Sequence, residues 1–232
     1  MDSLHAASPW SPGMPGSSAL SRWWRALRRR RALRRLSDPS LSGIFDAPPP
    51  DEWVSLDCET TGLDVQRDEI IAIGAVRIAG CRVLTSERLE LLVRPSRGVS
   101  ADSVRVHGLR ELDIADGLAP EDALRRLLAF IGSRPLVGYY LEFDVAMLNR
   151  LARPLLGGPL PHQAIEVSAL YYDLKHSQLP PYQQGSEIDL RFATLMKDLD
   201  LPQRPAHNAV NDAVMAALAF IKLRELARAR SR

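Results

Sequence analysis

The order of its hydrophobic segments constrains the fold of this chain more than any other feature. Three strand-like segments come first, at residues 53–57, 70–78 and 83–93, and Ala79-Gly80 closes a hairpin between the last two. Helical and strand patterns then alternate. The predicted helices are 120–131, 143–151, 188–199 and 209–227, and the predicted short strands are 135–140 and 165–167. A meander followed by β/α units predicts an α/β domain with one mixed sheet covered by helices.

The first 50 residues differ from the rest in composition. Residues 1–50 contain eight arginines, no lysine and three acids, so they carry +5, whereas residues 51–232 contain 22 bases and 25 acids and carry −3. The first segment also holds seven Pro, three Gly and nine Ser, and it ends in three prolines that form a stiff spacer. We therefore predict a basic tail over residues 1–50 and one globular domain with a sizeable core over residues 51–232.

The tail contains one segment with a helical pattern. Leu20, Trp23, Trp24 and Leu27 fall on one helical face, but the arginines at 28–31 place charge all the way round, which predicts a short helix at best. Four interpretations stay open: a disordered leader, an electrostatic contact with nucleic acid or anionic lipid, a docking peptide for a protein partner, and an organelle transit peptide. A secretory signal is not predicted, because no apolar stretch follows the first positive charges.

Neither a membrane segment nor a disulfide framework is predicted. The longest apolar run, residues 213–221, has nine residues, against the roughly 20 that a membrane-spanning helix needs. Cys58 and Cys81 are the two cysteines, and they form no CxxC pair. A reducing compartment and a cytoplasmic localisation are the expectation.

Acidic side chains follow two of the predicted strands. Asp57 and Glu59 are two positions apart at a strand end, so the strand period directs both carboxylates to one face and Cys58 to the other. Asp144 begins a helix directly after another predicted strand. Because open α/β sheets carry their sites at strand ends, we expect these carboxylates to share a cleft, although a capping role also suits each acid taken singly.

The last helix adds two further groups of this type. Asp212 lies in its first turn, Asn208 is the expected N-cap, and His207 precedes Asp212 by five residues. Four carboxylates in one cleft repel one another unless cations neutralise them, and oxygen ligands favour Mg²⁺ or Mn²⁺ over zinc. Two such ions suit phosphoryl displacement, and a neighbouring histidine suits proton transfer from the attacking water.

Three ordered segments carry a family resemblance: 56–63 (LDCETTGL), 138–144 (GYYLEFD) and 207–213 (HNAVNDA). Over about residues 53–222 the chain resembles the DEDDh 3′-to-5′ exonucleases of the ribonuclease H-like superfamily, which include the proofreading epsilon subunit of bacterial DNA polymerase III. The histidine five residues before the last aspartate is typical of the h subtype. The resemblance implies a ribonuclease H-like mixed sheet with helices on both faces.

The resemblance also implies roles for the five catalytic-type residues. Asp57, Glu59 and Asp212 would hold one divalent cation, Asp57 and Asp144 would hold the second, and His207 would be the general base. The implied product is a nucleoside 5′-monophosphate.

Implied substrate contacts follow from the same motifs. They are Thr60, Thr61, Leu63, His107 and Phe143. A loop hydrogen bond for His107 and core packing for Phe143 stay open as alternatives. Where many relatives have His-Asn, this chain has Tyr139-Tyr140, and neither position is an implied metal ligand. The pair suits either a changed substrate groove or core packing.

The expected function is metal-dependent hydrolysis from nucleic-acid 3′ ends, with DNA slightly favoured over RNA and with a protein partner for the tail left open. The alternatives are an RNA-trimming exoribonuclease and a catalytically silent module that binds nucleic acid or a polymerase. Loss of a ligand carboxylate would indicate the silent module, and all four are present.

Overall fold

The computed structural model describes residues 19–96, 98, 108–183, 185–205 and 207–230. Within these ranges no helix combines the length and the apolar character needed to cross a membrane. Cys58 and Cys81 are both free thiols.

Five strands form one mixed sheet. They are β1 (Glu52–Thr60), β2 (Ile70–Ala79), β3 (Arg82–Leu92), β4 (Leu136–Gly138) and β5 (Ala164–Glu166). The order across the sheet is β3-β2-β1-β4-β5. The first three strands pair antiparallel, and β4 pairs parallel with both β1 and β5. This topology confirms the predicted meander followed by β/α units.

Helices connect and flank the strands. They are α1 (Ala19–Leu33), α2 (Glu111–Ile114), α3 (Pro120–Ile131), α4 (Leu141–Leu156), α5 (Val167–Gln178), α6 (Phe192–Asp198) and α7 (Ala209–Arg230), with 3-10 helices at Pro39–Phe45 and Pro181–Gln183. The predicted bounds of α3 match, since its first turn has Pro at the start followed by two acids. Helix α6 starts later than the predicted residue 188, because the Asp189 carboxylate accepts hydrogen bonds from the Arg191 amide and the Thr194 hydroxyl and so ends the preceding extended segment.

The core lies on both faces of the sheet. On one face, strand residues such as Val54 and Leu56 pack with α3 and α4. On the other face, Val76 and Ile78 pack with α5, α6 and α7. Helices therefore cover both faces, as expected.

Part of the N-terminal segment packs on the domain, unlike the disordered leader that the sequence left open as one interpretation. Leu41 and Ile44, only 6% and 5% exposed, belong to the core cluster that α3 and α4 form. Ser37 donates from its amide and its hydroxyl to the Leu155 carbonyl oxygen, at 3.2 and 2.6 Å, and Asp38 pairs with Arg125. Average composition hid this short apolar segment, which packs because a 3-10 helix places its two large side chains inward. The domain boundary at residue 50 stays a prediction, and residues 1–18 lie outside the described residues.

The segment between the predicted strand 165–167 and the predicted helix 188–199, to which no helix was assigned, contains the additional helix α5. Val167, Leu170, Tyr171 and Leu174 do follow the helical period, and they pack against the α7 side of the sheet. The Glu166 side chain caps the helix by accepting from the Ser168 amide at 3.0 Å. This helix was not predicted from the sequence because its periodicity starts directly at the strand end, with no intervening turn.

Candidate active site

Strand β1 carries the first two carboxylates of the site. Cys58, between them, packs against the core cluster of α3 and α4. Since side chains alternate along a strand, Asp57 and Glu59 lie on the opposite face, where α7 packs. The predicted shared face of the two acids is therefore observed.

A glycine in β2 lets the last helix reach this face. Gly74 is the Cα partner of Asp57 across the strand pair. A Cβ atom at Gly74 would lie 2.1 Å from the Ala209 carbonyl carbon and 2.3 Å from the Val210 amide nitrogen. Real Cβ atoms essentially never approach that closely, so only glycine allows the first turn of α7 to lie directly on the sheet.

This contact brings Asp212 to the strand carboxylates. One ligand oxygen from each of Asp57, Glu59 and Asp212 can be chosen so that all three lie within 4.8 Å of one another. Three converging carboxylate oxygens at this spacing are a suitable donor set for a hard divalent cation.

The turn before α7 fixes His207 relative to Asp212. The Asn208 side chain accepts a hydrogen bond from the Asn211 amide at 3.0 Å, which confirms Asn208 as the N-cap. The His207 amide donates to Asp212 Oδ2 at 2.9 Å. His207 has a φ of 61°, in the left-handed region, and its side chain is exposed at the cleft.

Asp144 lies in the first turn of α4 and is only 4% exposed. Cys58 lies beside its carboxylate, and hydrogen bonding from the Cys58 amide and thiol acts to lower the pKa of Asp144. Asp144 also acts on the Asp57 carboxyl, whose pKa it helps to raise. The structure thus brings together all five residues that the sequence assigned to catalysis, in one cleft.

The cleft disfavours negative charge on its carboxyl groups. Removal from water raises the pKa of Glu59 to about 7, with a further contribution from the Asp212 charge. Removal from water also raises the pKa of Asp144 to about 8, against the opposing effect of the Cys58 hydrogen bonds. The pKa of Asp57 is raised well above its ordinary value by burial and by the three neighbouring acids. A bound cation would offset the cost of holding these carboxylates charged and buried side by side. The electrostatics therefore fit a metal site.

A groove of about 760 Å³ opens over these carboxylates. Of the predicted substrate contacts, Thr60, Thr61, Leu63 and Phe143 line it, while His107 lies outside the described residues. Phe143 also packs against the core. It therefore occupies a position suited both to substrate contact and to core packing.

The turn after β1 exposes the Leu63 side chain to the groove, whereas the hydroxyls of Thr60 and Thr61 are bonded within the turn. Thr60 donates to the Gly62 carbonyl oxygen at 2.7 Å. Thr61 Oγ1 donates to Asp68 at 3.0 Å and accepts from the Glu69 amide at 3.0 Å. With both hydroxyls used inside the turn, the side chain it offers to the groove is Leu63, which is 87% exposed.

Other groove residues carried no signal in the sequence. They are Phe192, Ala193, Met196, Gln203, Arg204 and Met215. They belong to α6, to the segment before α7 and to α7 itself, and no spacing rule links these segments to the strand motifs. For Tyr139 and Tyr140 the sequence left open a place in the substrate groove or in the core. Both residues line the groove.

Comparison with known proteins agrees with this arrangement. The family model RNase_T, described as Exonuclease, matches residues 54–220. DNA polymerase III subunit epsilon of Aquifex aeolicus is 24% identical over 191 residues, covering 82% of this chain and 85% of that protein. DNA polymerase III PolC-type of Thermotoga maritima is 31% identical over 194 residues, covering 84% of this chain.

Several curated relatives are much longer than this chain. It spans 13% of the Thermotoga maritima protein and 24% of a DNA polymerase III subunit epsilon-like protein from Rhodobacter capsulatus that is 31% identical.

Solved exonuclease structures share the fold. Exonuclease X in complex with 5′-overhanging duplex DNA aligns with a TM-score of 0.58 and 23% identity, over 76% of this chain and 93% of that chain. A structure of exonuclease I aligns with a TM-score of 0.65 and 17% identity, over 78% of this chain and 42% of that chain. With the family match over most of its domain, the chain belongs to the RNase_T exonuclease family.

Proposed function

We propose that this exonuclease-family chain is a divalent-metal-dependent 3′-to-5′ exonuclease of the DEDDh type that releases nucleoside 5′-monophosphates, preferably from DNA. The observation that carries the proposal is the convergence of Asp57, Glu59 and Asp212 oxygens within 4.8 Å, at the floor of an open groove that Asp144 and His207 also line. The names of its relatives, DNA polymerase III subunit epsilon and exonuclease X in complex with DNA, support DNA as the substrate.

The residues present fit two Mg²⁺ or Mn²⁺ ions. All four acids offer oxygen ligands, and burial raises the pKa of each of them. Neighbouring acids add to this effect for Asp57, Glu59 and Asp144. Asp57, Glu59 and Asp212 would hold one cation, and Asp57 with Asp144 would hold the other. Cations bound there supply positive charge to the oxygens of the phosphate that reacts.

His207 is suited to accept a proton from the attacking water. Its side chain is exposed at the cleft, and its backbone is tied to Asp212 by the amide hydrogen bond. The position of the imidazole therefore depends on the same helix start that positions the Asp212 carboxylate. An exposed imidazole can pass the proton to solvent after each cycle.

The arginine-rich helix α1 is proposed as a contact for a protein partner or for a long nucleic acid outside the catalytic groove. The segment that follows α1 is bonded to Leu155, near the C-terminal end of α4, whereas Asp144 is in the first turn of that helix. These two positions are about 16 Å apart along the helix axis. The exposed Arg30, Arg31 and Arg34 therefore extend from the end of α4 that is far from the carboxylates.

The test is a time course with single-stranded DNA and RNA labelled at the 3′ or the 5′ end, with Mg²⁺, Mn²⁺ or EDTA. We expect metal-dependent shortening from the 3′ end, faster on DNA, and its loss in Asp57→Asn. Asp173→Asn, which changes an exposed acid outside the groove, is the matched control.

Shortening from the 5′ end, or activity retained in EDTA or in Asp57→Asn, would contradict the proposal. Tight single-strand binding without turnover under any of these conditions would replace it with the silent binding module.

A further inference from the structure

Three aromatic rings form a ladder along one wall of the groove. Phe192 and Tyr139 are stacked, with ring centroids 4.4 Å apart and an interplanar angle of 22°. Tyr139 and Tyr140 follow at 4.4 Å with an angle of 48°. The Tyr139 hydroxyl donates to the Leu190 carbonyl oxygen at 2.9 Å, which fixes the middle ring. Tyr140 is the outermost ring and is 55% exposed.

The backbone holds Tyr140 in a conformation that tyrosine disfavours. Its φ is 52° and its ψ is 31°, in the left-handed region, which costs a residue with a Cβ about 1–2 kcal/mol. The Glu166 carboxylate accepts from the Tyr140 amide at 3.0 Å and from the Leu141 amide at 2.8 Å. The same carboxylate caps α5 through Ser168. Strain that the surroundings enforce in this way, beside an active-site cleft, suggests a functional requirement for the ring.

The groove offers few cationic contacts to a polyanion. Among the described residues that line the groove, Arg204 is the only one with a lysine or arginine side chain, and four residues carry carboxylates. Its walls are largely apolar, with Leu63 exposed on the turn after β1 and the aromatic ladder also lining the space. Substrate affinity in such a groove must come from the base faces as well as from the phosphates.

We propose that Tyr140 stacks on a nucleobase of a single-stranded 3′ end. The nucleobase would then be the fourth ring of the ladder that Phe192, Tyr139 and Tyr140 form. The proposal rests on the exonuclease function above and specifies how its substrate is held. Stacking on an aromatic ring accepts any base, because every base has a π-face, so this contact selects unpaired nucleotides without selecting sequence. A base stacked inside a duplex presents no free face to the ring.

The test compares binding of two probes by fluorescence anisotropy, with Ca²⁺ in place of Mg²⁺. One probe is 5′-fluorescein dT8, and the other is the same strand with two abasic residues at its 3′ end. Tyr140→Gly removes the ring and suits the left-handed backbone, so its melting temperature should not fall. Tyr140→Asn is the second ring-free variant, because Asn also tolerates this conformation.

We expect the wild type to bind dT8 about 5- to 150-fold more tightly than the abasic probe, the range that corresponds to one stacked base. Tyr140→Gly and Tyr140→Asn should lose this preference, and Tyr140→Phe should recover it. Tyr182→Gly, at a tyrosine that is 84% exposed and does not line the groove, should retain the preference.

A full preference for dT8 in Tyr140→Gly, with wild-type shortening of DNA still observed, would overturn the stacking proposal alone. Failure of the wild type to bind or shorten either strand would overturn the proposed function, and the stacking proposal with it.

Discussion

The fit of helix α7 against β2 makes a sharp prediction at Gly74. In Gly74→Ala the new methyl group would lie 2.1 Å from the Ala209 carbonyl carbon, where ordinary contact begins at 3.4 Å. The nearest atoms all belong to the backbone, so no side chain can rotate away. The start of α7 must therefore move about 1.3 Å from the sheet, or the strand must shift by a similar amount.

This displacement is small for the fold and large for the site. Overpacking by one methyl group typically costs about 1–3 kcal/mol of unfolding free energy, which leaves most domains folded. Mg²⁺ requires near-ideal oxygen positions at about 2.0–2.1 Å, and a misplacement of about 1 Å at a catalytic group can lower the rate on the order of 100-fold. We expect Gly74→Ala to lose at least about tenfold in Mg²⁺ affinity and about 100-fold in turnover.

The assay measures three quantities on the same preparations. Urea denaturation gives the unfolding free energy, calorimetric titration gives the Mg²⁺ affinity, and shortening of labelled single-stranded DNA gives the turnover. Gly158→Ala is the control, because no atom lies within 4 Å of its Cβ position. Turnover and Mg²⁺ affinity within twofold of wild type in Gly74→Ala would refute the argument that this contact positions Asp212.

Three further predictions concern charge and packing. Because the pKa of Asp144 is raised to about 8 from an ordinary 3.8, the folded metal-free protein binds this proton more tightly than the unfolded chain does, so stability falls as pH rises through that window. Asp144→Asn should therefore raise the metal-free melting temperature more at pH 8 than at pH 5, and an equal gain at both would contradict the assignment. Leu41→Ala should cost about 2–4 kcal/mol in urea denaturation, whereas Leu112→Ala, at a residue 82% exposed, should cost little, and equal losses would argue against packing of the N-terminal segment. Replacing Arg30 and Arg31 by Gln should flatten the salt dependence of binding to long strands without changing cleavage of short ones, and an unchanged slope would favour a protein partner for α1.

Much of the site follows from local sequence rules. The two-residue spacing of Asp57 and Glu59 determines their shared face, and Asn208 begins the last helix where its capping preference predicts. The aromatic wall does not follow from such rules. Phe192 reaches Tyr139 because α6 packs on the α7 side of the sheet, and that arrangement depends on contacts between distant segments.

The N-terminal segment is a second case in which the sequence alone did not predict the packing. Its composition suits a disordered leader, yet Leu41 and Ile44 are buried in the core cluster with α3 and α4. Composition averaged over 50 residues indicates how polar a segment is as a whole. It does not reveal one short apolar turn, here the turn with Leu41 and Ile44, that packs on the core.

By itself the sequence determined the order of the five strands, the four carboxylates, the histidine, and the exonuclease family they indicate, because each depends on spacing within one segment. Only the tertiary structure decided how closely these segments approach. The glycine contact that brings Asp212 to β1, the Glu166 carboxylate that holds Tyr140 in place, and the raised carboxyl pKa values all arise between residues far apart in the chain. Distances and desolvation are properties of packed surfaces, and no pattern within one segment encodes them.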